Sequence, residues 1–359
     1  MRTLVLSDVH FGTHARADVL RDGATRARLI EALAGCDRLV LLGDLIELRH
    51  GPLRDALAVA AEPLREIGAA LGDSAEVVTV AGNHDHPVVQ GWADRRAADG
   101  RPPALGLQSA VDWHDGEPLA RVAQLLAPAR VTAAYPGVWL REDIYATHGH
   151  YLDLHLTVPT IERLAAGVMR RVVALDSAAP SCAEDYEAVL VPIYAWVHAI
   201  AQRADPERSG VLHGGSVRGW RALTGPGRRR LRGRATALAW PGVVAALNRA
   251  GLGPLRPELS RPALRGAGLR AMGEVCARTG VEADWVIFGH THRAGPLPGD
   301  DAGEWRAPSG AGLINSGCWV HEPAFLGEDP ARSPYRPGFA VVVEDDGPPR
   351  LINLLDGQR

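Results

Sequence analysis

Five short segments of this 359-residue chain concentrate residue types that bind metal ions: Asp8-Val9-His10, Gly43-Asp44, Gly82-Asn83-His84-Asp85, Thr147-His148-Gly149-His150 and Gly289-His290-Thr291-His292. Imidazole combined with carboxylate suits borderline cations, here Mn²⁺, Fe or Zn²⁺, with manganese foremost. Seven ligands are too many for one ion. Two ions sharing a carboxylate would use them all, and Asp44 is the natural shared ligand. Such pairs sit roughly 3.5–4 Å apart and hold the attacking and leaving oxygens of an in-line displacement. Water held between them loses a proton near neutral pH, so no protein nucleophile is required.

These residues need strand ends to hold them. Each segment follows a short apolar, β-prone run, at residues 4–6, 39–42, 77–80, 144–146 and 285–288. A carboxylate just past a buried strand is costly unless positive charge meets it. Helical patterns at 25–34 and 53–71 alternate with the first three strands, which predicts a layered α/β fold. Residues 130–135 and 144–147 read as two strands around a Pro136-Gly137 turn. From about 157 to 284 the spacing is helical, and strands return at 285–288, 312–315, 339–343 and 351–354. Residues 294–311 read as a surface loop.

Composition excludes several classes. A formal charge of −3, with 46% hydrophobic and 23% charged residues, is ordinary for a soluble domain. Cys36, Cys182, Cys276 and Cys318 are far apart, which argues against a disulfide framework or a thiolate zinc site. No targeting segment is apparent, and the apolar run at 235–247 is short and contains Pro241. A cytoplasmic protein is expected.

The order DxH, GDxxE, GNHD, HGH, GHTH resembles the calcineurin-like metallophosphoesterases, and the Asn315-Ser316-Gly317 stretch resembles the strand that follows GHxH in them. The resemblance implies a four-layer αββα sandwich built from residues 1–150 and 284–359, interrupted by a largely helical insertion or cap at 151–283. It implies two divalent ions, one held by Asp8, His10 and His292, the other by Asn83, His148 and His290, with Asp44 bridging. His84 would serve the substrate, as a donor to a phosphoryl oxygen or to the leaving alkoxide. Glu47 stands where many relatives have Asp, and would orient His84. The implied activity is metal-dependent hydrolysis of a phosphoester.

The insertion carries 18 arginines against 11 acidic residues, a net +7 inside a remainder of −10. Seven of those arginines lie between 218 and 234. Arg228, Arg229 and Arg230 are the expected substrate-binding residues, since guanidinium groups take phosphate bidentately. With the apolar run that follows, they suit a lipid or the membrane interface, so a peripheral membrane contact is also expected. Trp196, Trp220 and Trp240 read as core residues of the insertion. A lipid-precursor pyrophosphatase resembling UDP-2,3-diacylglucosamine hydrolase is the alternative reading, and a non-enzymatic scaffold a lesser one. Nucleic acid is not an expected partner, because only 67 residues follow His292 and they read as closing strands.

Overall fold

Strand side chains alternate between two faces, and in this chain both faces are apolar. The structure, a computed structural model, describes residues 1–13, 16–100, 102–172, 180–203 and 231–357. Its strands are β1 (Thr3–Leu6), β2 (Arg38–Leu42), β3 (Glu76–Val80), β4 (Gln108–Ala110), β5 (Arg130–Arg141), β6 (Ile144–Thr147), β7 (Trp285–Phe288), β8 (Gly312–Asn315), β9 (Phe339–Val343) and β10 (Arg350–Asn353). They follow the order β10-β9-β1-β2-β3-β5-β6-β7-β8, with β4 on β5.

The path folds back at β5. Its first half pairs in parallel with β3, and its second half pairs antiparallel with β6. Val5, Val40 and Val78 from one half-sheet then share a single buried cluster with Ile144, Ile287 and Ile314 from the other. On the opposite face of the first sheet, Leu4, Leu6, Leu39 and Val77 pack against α1 (Gly23–Leu33), α2 (Leu53–Leu71) and α4 (Pro118–Leu125), which follows α3 (Gln90–Ala98). The outer face of the second sheet, with Val286, Phe288 and Leu313, meets two helices introduced below. The layers are therefore helix, sheet, sheet, helix. Each fully buried Leu or Val contributes roughly 1.5–3 kcal/mol, so the patterning outweighs any single cap or turn.

Between 151 and 283 the described helices are α5 (Ile161–Val172), α6 (Ala183–Arg203), α7 (Leu231–Leu247) and α8 (Arg261–Thr279); α9 (Pro323–Leu326) lies beyond. Helices α6 and α8 complete the outer layer, through Tyr186, Val189 and Leu190 on one and Leu269, Met272 and Val275 on the other. Helix α8 is set by its ends: Ser260 caps the Ala263 amide, and Gly280 closes it in the left-handed region. Arg163 joins two distant parts of this stretch, donating to the Leu156 and Gly253 carbonyls at 2.9 and 3.0 Å.

Three expectations are corrected. Pro136-Gly137 is not a turn: β5 runs through it and the chain reverses at residues 142–143, because Gly137 lets β5 lie against Tyr145 and the Ala146 carbonyl where a Cβ would collide. Pro241 sits inside α7 rather than breaking it. Trp196 is 63% exposed, not core. Trp240 donates its indole N–H to the Pro257 carbonyl, and Trp220 lies outside the described residues. No helix among the described residues is long and apolar enough to cross a membrane.

Candidate metal centre

The five segments lie past the ends of β1, β2, β3, β6 and β7, and backbone hydrogen bonds stitch their loops together. Asp8 and His10 donate to the Gly43 and Asp44 carbonyls at 3.1 and 2.8 Å, and Gly289 donates to the His148 carbonyl at 2.9 Å. Asp8, His10, Asp44, His290 and His292 all have φ between 52° and 66°. Outside glycine this left-handed backbone costs on the order of 1–3 kcal/mol per residue and clusters at functional sites. Close approach sets the glycines: a Cβ on Gly82 would strike Asp44, and one on Gly289 would strike Asp8 and Ser7.

Two groups of donor atoms result. In one, His10 Nε2 and His292 Nε2 face each other at 3.1 Å, with Asp8 Oδ1 3.2 Å from His292 and 3.9 Å from His10. In the other, Asn83 Oδ1 lies 3.1 Å from His148 Nε2 and 3.0 Å from His290 Nδ1. Asp44 Oδ2 reaches both, 3.6 Å from His10 and 3.3 Å from His148. The donor sets Asp8-His10-His292, His10-Asp44-His84 and Asp8-Asp44-His148 each fall within 4.8 Å.

The outer nitrogens of three of these histidines are held by acceptors. Glu47 takes His10 Nδ1 at 3.1 Å, the Leu42 carbonyl takes His148 Nδ1 at 3.0 Å, and Asp153 takes His290 Nε2 at 2.9 Å. That turns the other ring nitrogen inward, where it offers a lone pair once any proton there leaves, and acceptors placed so behind metal-binding imidazoles fix ring angle. Asp8 Oδ1 is buried and meets no donor in hydrogen-bonding geometry. By hydrogen bonding alone, the Asn83 amide would turn its nitrogen to the two imidazoles and its oxygen to Arg49 at 2.7 Å. A cation among the inner atoms favours the oxygen inward. Orphaned carboxylate oxygen, facing imidazole nitrogens and strained backbone all fit divalent cations.

Residues 1–177 match the family model described as calcineurin-like phosphoesterase. Over that stretch, just under half of the chain, it is similar to that family. The matched region contains five of the seven donors, and β7 brings His290 and His292 to them. Comparison with curated proteins found no match. Among solved structures the chain is similar to a nuclease from Pseudomonas putida, at 25% identity over 41% of this chain and 53% of that one, with a TM-score of 0.23. The match thus spans about half of the nuclease's length. It is also similar to a dimetal phosphatase from Danio rerio, at 14% identity over 99% of both chains and a TM-score of 0.35. A cold-active protein-tyrosine phosphatase of a Shewanella species matches at 12% identity, covering 98% of this chain and 80% of that one, with a TM-score of 0.28.

The charges of the centre balance one another. Burial would raise the Asp8 and Asp44 carboxyls, but His292 and His10 beside the first, and His148 and His84 beside the second, hold both well below the usual range. Burial works against His148 and His292 as cations, yet Asp44 lifts the one to about 9 and Asp8 lifts the other to about 10. His84 differs. Burial, aided by the Arg49 charge, lowers it to about 4 despite Glu47 and Asp44.

Sequence reasoning placed Glu47 behind His84 but missed its second contact, to His10, and two further supports. Glu47 binds two histidines, taking His84 Nδ1 at 2.8 Å as well as His10. Asp153 stands behind His290. Asp85 receives the backbone N–H groups of Leu45 and Gly82, both at 2.7 Å, and so shapes the loop that carries Asp44; burial and Asp44 raise it to about 6. Glu47 and Asp85 each left a signal, as carboxylates inside quoted motifs, and Asp153 left none. Glu47→Gln is expected to lower kcat and also to weaken metal binding by roughly 10–100-fold, since a polar partner behind a ligand is worth that much. Metal titration of the variant checks it.

His86 and His150, though adjacent to motif residues, turn away from the centre. His86 Nε2 lies 3.3 Å from Glu187 of α6, and Tyr135 donates to that carboxylate at 2.7 Å while approaching His150 Nε2 at 3.3 Å. Arg228, Arg229 and Arg230 lie outside the described residues.

Proposed function

We propose that the protein hydrolyses a phosphoester with two divalent cations, manganese foremost. One is held by Asp8, His10 and His292, the other by Asn83, His148 and His290, and Asp44 is shared. The observation that carries the reading is Asp44 Oδ2, within 3.6 Å of His10 and 3.3 Å of His148. When bound, the cations would supply Lewis-acid polarisation of the phosphoryl group and activation of water. The chain's own residues do the rest. Glu47 keeps His10 and His84 in register, Asp153 keeps His290 turned inward, and His84, on the open side, handles a proton at Nε2. Residues 151–283 act as a cap through their two ends, while α6 and α8 also close the outer layer: Leu156 and Val158 at one end and Leu264 and Leu269 at the other border the same cleft as His290.

Calorimetric titration with Mn²⁺ tests this. Two ions per chain are expected, taken up with proton release, because His148 and His292 carry protons at neutral pH in the metal-free chain. Those protons must leave before the inner nitrogens can bind. Affinity therefore falls as pH drops below about 10 through His292 and below about 9 through His148, by roughly tenfold per unit for each imidazole displaced. Buffers of different ionisation enthalpy read the proton count. Chelation should abolish turnover of a chromogenic phosphoester, and full activity with one ion per chain would refute the shared-carboxylate reading.

A further inference from the structure

The cleft does not end at the metal centre. It continues into a pocket of about 320 Å³, at the lower end of the roughly 300–1,000 Å³ of small-molecule sites. Asp44 and His290 lie at one end, and the walls are Leu156, Val158, Leu264, Leu269, Trp305 and Phe325. Two arginines border it, and both are already paired. Arg293 holds Asp300 through two contacts of 2.6 Å, and Arg265 meets Glu304 at 2.7 Å and Asp300 at 3.5 Å. Glu162 adds a negative charge to the lining. A second phosphate would therefore meet a carboxylate and committed guanidinium groups, whereas an uncharged group meets apolar walls.

Gly268 opens this space. It lies on α8 among the lining residues, and a Cβ built there meets only Thr291 Cγ2, at 3.7 Å, an ordinary contact. A larger side chain at that position would project beside Thr291, between the two histidines of the last motif. Trp305 adds a buried indole N–H that has no acceptor among the described residues, a donor for one ligand oxygen.

We propose that this pocket selects an uncharged apolar group on the substrate, so that the enzyme acts on phosphoesters of alkyl or aryl alcohols in preference to multiply charged compounds such as nucleoside polyphosphates. This rests on the phosphoesterase reading above. The alcohol carbon chain enters the pocket while the phosphoryl group stays at the metal end.

The metal-loaded full chain is titrated calorimetrically with methyl-, butyl- and octylphosphonate, which are not hydrolysed. In parallel, turnover of methyl, butyl and octyl phosphates and of their p-nitrophenyl diesters is followed. Each methylene that enters the pocket is expected to tighten binding by about fourfold, so octyl should have a Kd at least about tenfold lower than methyl and a kcat/KM at least about tenfold higher. Equal binding and equal turnover along the series would overturn the pocket while leaving the phosphoesterase intact. Absence of turnover with every ester, together with no phosphonate binding, would overturn both. Gly268→Leu should cut the octyl-to-methyl binding preference by about tenfold or more, with Gly268→Ala keeping most of it. If circular dichroism shows Gly268→Leu unfolded, Leu264→Asn reads the same preference from the half-buried wall. An undiminished preference in the folded variants would refute the assignment.

Discussion

An Asp44→Asn chain is expected to lose about three orders of magnitude or more in kcat, since cation stabilisation of the transition state is worth several kcal/mol and each 1.4 kcal/mol is tenfold. The two carboxylate oxygens have different tasks. Oδ1 accepts the His84 backbone N–H at 2.8 Å, while Oδ2 faces His10 and His148. An amide cannot serve both. If its oxygen keeps the His84 N–H, its nitrogen turns into the donor cluster and places N–H groups where cations belong. If it turns over, the nitrogen confronts the His84 amide, donor against donor. Asp44 is 1% exposed, so water cannot relieve either arrangement. Elemental analysis should find fewer than two ions per chain. Retention of both ions with activity intact would remove Asp44 from the bridging position.

His84→Asn is expected to behave differently, lowering kcat by about 10²–10⁴ with metal content unchanged. Glu47 takes His84 Nδ1 at 2.8 Å, and Nε2 lies 4.0 Å from Asp44 Oδ2, at the outer edge of the donor set. The His84 side chain is 22% exposed, against 2% for Asp44, which puts it on the side from which substrate enters. With its pKa lowered to about 4, the resting imidazole is neutral at neutral pH. Its Nδ1–H donates to Glu47, and Nε2 is bare. An arriving phosphoryl group brings negative charge and raises that value, which lets Nε2 carry the proton needed by the leaving alkoxide. Metal stripped from the variant would instead make His84 a ligand, as its place in the His10-Asp44-His84 set allows.

Much of the centre was legible in the chain because its donors are local. Asp8, Asp44, Asn83, His148 and His290 each stand within a few residues of the apolar run that places them, so strand pattern and motif lie in one short window. The four layers follow for the same reason, since alternation along β1, β2 and β3 states which side chains face helices and which face the second sheet. The supports have no such window. Glu47 reaches His10 and His84 across 37 residues each, and Asp153 reaches His290 across 137. Asp153 looks in sequence like any solvated acid, and Glu47 was legible as the acid of GDxxE behind His84 but not as the partner of His10. Tyr135, His86 and Glu187 likewise meet only because α6 packs against both β5 and the 86–89 turn. The passage of β5 through Pro136-Gly137 was hidden because the pair carries a strong turn preference, which the neighbouring strands override by supplying partners on both sides. The apolar pocket is the furthest from the sequence. Its walls come from residues 156, 264, 305 and 325, whose chain separation carries no periodic signal, and only the packing of α8 against the strand ends brings them to the metal.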